Sequence, residues 1–137
     1  MKHKYVISIL VILIAIGIVI GICIIKNDKK TEELDLINKD KISYIEIQYK
    51  NEVIKITNYD KIDKISNLFK KEMNREESLE DKKGWVYRVS IYDENDKNIN
   101  IIYILNNSSI VVDGKGYIHN GQFISSVDEI LGIKRDE

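Results

Sequence analysis

ISYIEIQYKNEVIKIT, residues 42–57, alternates apolar and polar side chains on both sides of Lys50-Asn51. Alternation with a period of two marks a half-buried β-strand. A two-residue turn at Lys50-Asn51 sets Tyr49 opposite Glu52, Ile47 opposite Ile54 and Ile45 opposite Ile56. Both isoleucine pairs then share one face. A one-residue slip would send every side chain to the opposite face, so the agreement fixes the register. Asn51 also tolerates the left-handed backbone that tight hairpins use. The segment reads as a β-hairpin with one apolar face, and the rest of the chain must cover that face.

The cover begins at once. Thr57 or Asn58 can cap a helix in which Ile62, Ile65, Leu68, Phe69 and Met73 recur every three or four residues. Asn74 to Lys83 reads as a charged connection with Leu79 as its apolar anchor. Trp85 to Asp93 alternates again, with Trp85, Tyr87, Val89 and Ile91 on one face, and Ile99 to Leu105 offers Ile99, Ile101, Tyr103 and Leu105. A loop at Glu94-Asn95-Asp96 would pair Ile91 with Ile99, Val89 with Ile101, Tyr87 with Tyr103 and Trp85 with Leu105. A turn at Asn107-Ser108 extends this to a three-stranded meander, with Leu105 opposite Ile110 and Tyr103 opposite Val112. Asp113 to Gly116 is a turn, and Asn120-Gly121 signals a small hairpin between residues 117–119 and 122–124. Ser126 and Glu129 form a capping box for a short helix ending at Gly132. The order predicts an α+β fold, a two-layer sandwich of an antiparallel sheet (ββαβββ plus a small hairpin) with one main helix on one face.

Ahead of this domain, Tyr5 to Ile25 is an uncharged apolar run of 21 residues preceded by Lys2 and Lys4. At about 1.5 Å per residue such a helix matches a bilayer core of about 30 Å. No Ala-x-Ala-like cleavage site closes the run, and the branched Ile22 stands before Cys23 where a lipoprotein signal needs a small residue. Residues 1–25 therefore read as a tail and an uncleaved transmembrane signal-anchor, 26–41 as a charged stalk, 42–133 as an extracytoplasmic domain and 134–137 as a tail. The four-residue N-terminal tail favours an N-terminus inside the cell, although the basic flanks are nearly balanced.

Composition excludes several function classes. Beyond residue 25 the chain carries 19 basic and 22 acidic residues, a net charge of −3, which is not the clustered positive surface nucleic acid requires. The one cysteine lies in the apolar run, so the domain has neither disulfide nor thiol site. His119 has Tyr117, Asn120 and Gln122 around it, which is no metal-ligating set. The loop from Asp93 to Asn98 lacks a calcium loop's spacing, with Lys97 at the fifth position and Asn98 in place of glycine. The acidic run of Glu76, Glu77, Glu80 and Asp81 does not set two carboxylates across a cleft. Asp113-Gly114-Lys115-Gly116 lacks the Walker spacing. The sequence implies no cofactor and no catalytic residues.

What remains is aromatic. Tyr44, Trp85, Tyr92 and Tyr117 are candidates for a partner-binding surface, because exposed aromatic side chains suit protein or peptide contacts. With its alternating strand pair, its Tyr59-Asp60-Lys61-Ile62-Asp63-Lys64-Ile65 helix and its tyrosine-rich later strands, the stretch from Ile42 to Leu131 resembles a family of small membrane-anchored proteins of low-GC Gram-positive bacteria. That family carries a domain of unknown function. The resemblance implies a fold and an extracytoplasmic location, and carries over no catalytic residue. The reading is a non-enzymatic membrane-anchored binding module that uses its sheet face or an edge strand. Its competitors are an immunity or inhibitor protein against a secreted toxin or protease, and a carboxylate-based hydrolase.

Overall fold

The structure is a computed structural model in which residues 7–18, 31–33 and 41–135 are described. The chain divides into two compact units, Met1–Lys30 and Thr31–Glu137. In the first, residues 7–18 form a helix, α1, whose large apolar side chains from Ile7 to Ile18 all stand exposed. Among the described residues no helix is long and apolar enough to cross a membrane. The ends of the Tyr5–Ile25 run, and with them its reading as an anchor, lie outside the described residues.

The second unit is built on an eight-stranded, wholly antiparallel sheet. In chain order its elements are β1 (Thr31–Glu33), β2 (Tyr44–Tyr49), β3 (Glu52–Ile56), α2 (Tyr59–Phe69), β4 (Glu72–Arg75), β5 (Tyr87–Tyr92), β6 (Asn98–Asn106), β7 (Ser109–Val112), β8 (Lys115–Ile118) and α3 (Phe123–Leu131). A short 3-10 turn, Glu77–Leu79, follows β4. The spatial order is β1-β4-β8-β7-β6-β5-β2-β3.

The first hairpin has the register its alternation dictates: Tyr49 faces Glu52, Ile47 faces Ile54 and Ile45 faces Ile56. Asn58 caps α2, its side-chain oxygen accepting a hydrogen bond from the Lys61 N–H at 3.1 Å. Ile62, Ile65 and Phe69 of α2 are buried. The helix stops at Phe69, and Met73 belongs to β4, where it is also fully buried. Two segments read as charged connections thus contain strands. Thr31–Glu33 of the stalk pairs with β4, and β4 pairs with β8.

The β5/β6 register departs from the alternation. Tyr92 faces Asn98, as a hairpin closed at Asp93 and Lys97 requires, but Ile91 faces Asn100. Ile99 is therefore an extra residue, a β-bulge, and beyond it every pair moves by one: Val89 faces Ile102 and Tyr87 faces Ile104. The Asn98 side chain holds the bulge by donating to the Ile91 carbonyl at 3.3 Å. A second shift at Leu105 follows the Asn107-Ser108 turn, so that Ile104 faces Ile110 and Ile102 faces Val112. The expected pairs of Val89 with Ile101 and Tyr87 with Tyr103 do not form. Ile102 and Ile104 enter the core, and Ile101 and Tyr103 turn to the other face.

The core face is then made of cross-strand rows. One runs Ile54-Ile47-Val89-Ile102-Val112, the next Tyr49-Tyr87-Ile104-Ile110-Tyr117. Both α2 and α3 cover it, with Phe69 stacked on Phe123 at 5.9 Å between ring centres. The small hairpin expected at Asn120-Gly121 is absent, because residues 123–131 are helical. Nor is Ser126 a cap, since α3 begins three residues before it, after Gln122 in a left-handed conformation (φ 52°). The helix does end at Gly132, whose N–H reaches the Asp128 and Glu129 carbonyls. The architecture is a two-layer α+β sandwich with two helices on one face.

Candidate functional site

The helices leave the opposite face of the sheet open. By register that face presents Tyr44 beside Tyr92, then Lys55-Glu46-Ser90-Ile101, then Val53-Gln48-Arg88-Tyr103-Val111-Gly116. At its β8 end the 3-10 turn lies against Gly116, so closely that an added Cβ would sit 2.4 Å from the Glu76 carbonyl oxygen and 2.6 Å from Leu79 Cβ. The Glu76 N–H donates to the Gly116 carbonyl at 2.9 Å, and Leu79 is buried there. Leu79 is the anchor its lone apolar character suggests. Glycine is required at 116 because no side chain fits beneath the crossing backbone.

The four aromatic candidates do not form one patch. Tyr44 and Tyr92 are direct cross-strand partners and stack face to face, 4.7 Å apart and 12° from parallel. The Lys55 ammonium lies 3.7 Å from the Tyr44 ring centre. Burial, and after it the nearby Asp96 carboxylate, push the Tyr44 hydroxyl above its ordinary pKa. Both ring faces are thus largely taken. Tyr117 is only 3% exposed, sits on the core face and has the Arg75 guanidinium 5.6 Å from its ring centre, so it offers no surface to a partner.

Trp85 is different. It is 36% exposed and tilted against Tyr103 at 6.1 Å. Together with Leu105 and Val111 these rings line a shallow groove of about 420 Å³, bordered by Glu80, Lys82, Lys83, Gly84 and Gly114. Glu80 is held in an ion pair by Arg75, whereas no ion pair engages Lys82 or Lys83 among the described residues. Arg88 faces Tyr103 across the strands, and its Nε is sealed from solvent without a hydrogen-bond partner. The groove therefore combines an apolar floor with a cationic margin. Tyr103, Leu105 and Val111 were not among the sequence candidates, because the unbulged register turns Tyr103 and Leu105 into the core. A larger depression of about 640 Å³, between residues 41–43, Tyr59 and residues 93–95, is lined mainly by polar groups.

Comparison with protein-family models, with curated proteins and with solved structures gave no match.

The remaining polar clusters serve the fold. Asp93 Oδ1 accepts the N–H groups of Asn95 and Lys97, each at 2.9 Å, which closes the β5/β6 loop rather than shaping a calcium site. Glu76 accepts from the Ser78 hydroxyl at 2.7 Å. No group of three potential ligands is placed to hold a metal among the described residues. His119 is half-buried, packed 6.2 Å from the Phe123 ring, with Nδ1 sealed and unpartnered. It is less exposed than a turn-flanking residue should be.

One constellation left no trace in the local sequence pattern. The buried Tyr87 hydroxyl donates to Asp128, and Arg135 grips the same carboxylate through Nε at 2.6 Å and Nη2 at 3.1 Å. The Arg135 guanidinium also lies over the Tyr49 and Tyr87 rings, at 5.1 and 5.4 Å. Burial alone would raise the Asp128 pKa, but the hydrogen bonds from Arg135 and Tyr87 outweigh it and the net shift is downward. Burial, joined by the Asp128 carboxylate, drives the Tyr87 hydroxyl far above its usual pKa. A tyrosine so hard to ionise is a poor acid–base group at neutral pH. The cluster clamps the C-terminal segment onto the core.

Proposed function

We propose that this chain is a membrane-anchored extracytoplasmic protein whose folded domain binds a protein or peptide partner, without catalysis, through the open face of its sheet. The observation that carries the reading is the Trp85–Tyr103 groove, which these two large rings line together with Leu105 and Val111. Aromatic anchors in shallow apolar grooves are the side chains that dominate protein contacts. The apolar run from Tyr5 to Ile25 supports the anchor, since a side-chain set so uniformly apolar suits lipid better than water.

The test is affinity capture with the full chain and with a Trp85→Ala, Tyr103→Ala double variant. Trp85 is exposed and Tyr103 is half-buried on the open face, so the variant keeps the core intact. A partner recovered by the native chain and lost with the variant supports the reading. Identical recoveries from both would overturn it.

A further inference from the structure

The two edges of the sheet are unequal. One edge is β1, only three residues long. The other is β3, five residues in unbroken register with β2 and, among the described residues, with no strand on its outer side. Edge strands are normally guarded by a bulge, a proline or an outward lysine. The chain contains no proline, and β3 pairs without a register shift. Its one lysine, Lys55, is drawn back over the Tyr44 ring at 3.7 Å, towards β2 and away from the edge. Val53 is left 60% exposed beside it. This is an edge without its guard.

The backbone of β3 is also self-complementary. Tyr49 and Glu52 close a two-residue turn and so form a hydrogen-bonded pair. Alternation along an antiparallel ladder then commits the N–H and C=O of Ile54 and Ile56 to β2 and points those of Val53 and Lys55 outward. We propose that β3 pairs antiparallel with β3 of a second copy of this chain, about a two-fold axis through Ile54 and perpendicular to the sheet. In that register Val53 of each copy faces Lys55 of the other, and all of the outward backbone groups of both residues are used. Ile54 meets its own counterpart on the helix-covered face, where it is already half-buried. The sheet becomes continuous across two chains, and the Trp85 groove, several strands away, stays open in each. Any other register leaves some of these groups unpaired or sets Lys55 against Lys55. A five-residue strand pair is a small contact, so the association is weak and concentration-dependent.

The test is cysteine trapping in the full chain, in detergent micelles, with Cys23 replaced by serine. Residues facing one another at a non-hydrogen-bonded antiparallel position have Cα atoms about 4.5 Å apart, within the roughly 4.4–6.8 Å that a disulfide spans. Ile54→Cys should therefore give a disulfide-linked dimer on mild oxidation, and Ile99→Cys, exposed elsewhere on the molecule, should give little. Adding Val53→Pro removes an outward N–H from each copy without touching the β2 ladder, and should lower the trapping rate about tenfold or more. Val53→Lys, at an exposed position, sets like charges opposite one another and should do the same. Circular dichroism verifies that each variant is folded. Equal trapping at positions 54 and 99, or trapping unchanged by Val53→Lys in folded protein, would overturn the proposal.

Discussion

Tyr87 donates its hydroxyl to Asp128, 41 positions further along the chain, and Arg135 closes on the same carboxylate from the other side. A strand, a helix and the C-terminal segment are thereby joined at one charged group. Tyr87→Phe keeps the ring and deletes the donor. It should cost roughly 1.5–3 kcal/mol, the range for a hydrogen bond to a charged acceptor, read from the denaturant midpoint.

The same cluster sets a pH dependence. Asp128 has its pKa lowered in the folded state, so its contribution is fully present above the unfolded value near 3.8 and is lost as pH falls through the folded one. Tyr87 has its pKa raised, so its contribution is complete below about 10 and declines as pH rises beyond that. Asp128→Asn should flatten the acid limb of the stability curve. Tyr87→Phe should flatten the alkaline limb. Thermal melts across the pH range check both.

Ile102 and Ile101 are adjacent in sequence and opposite in the sheet. Ile102 is fully buried and faces Val89, while Ile101 is half-buried on the open face. Ile102→Ala should cost about 2–5 kcal/mol, the range for truncating a core isoleucine. Ile101→Ala should cost about 1 kcal/mol or less, as expected for a surface position. Urea midpoints for the two variants decide the register, and a larger loss at position 101 would contradict it.

That inversion shows what can be read from the residues. The β2/β3 hairpin, the Asn58 cap and the Gly132 stop depend on neighbours within a few positions, and each is visible in local spacing. In β6 the stretch from Ile101 to Leu105 is apolar on both alternations, so its phase is undecided until the bulge at Ile99 is known. The only hint is Asn98, whose amide serves the bulge. Likewise Asn120-Gly121 reads as a hairpin, yet α3 is started by a distant loop. The Asn107 carbonyl accepts the Phe123 N–H at 3.0 Å and its side chain accepts the Ser125 N–H at 3.0 Å. Long-range caps of that kind have no local signature. The groove depends on the same bulge, because only the shifted register turns Tyr103 to the open face.

Gly116 should be intolerant of any side chain. A Cβ there would lie 2.4 Å from a backbone oxygen, which cannot rotate away. Gly116→Ala should cost roughly 1–3 kcal/mol through overpacking, and should displace the segment leading to Lys82 and Lys83. The chain has a single tryptophan, so the emission of Trp85 reports that displacement directly.

The most direct test of the open face as a binding surface is site-specific photo-crosslinking in intact cells. A photoreactive side chain at Tyr103, inside the groove, is compared with one at Lys64, exposed on α2. The account predicts a discrete crosslinked adduct from position 103, absent from position 64 and lost when Trp85 is changed to alanine. Adducts of the same size and yield from both positions, or from position 64 alone, would contradict it.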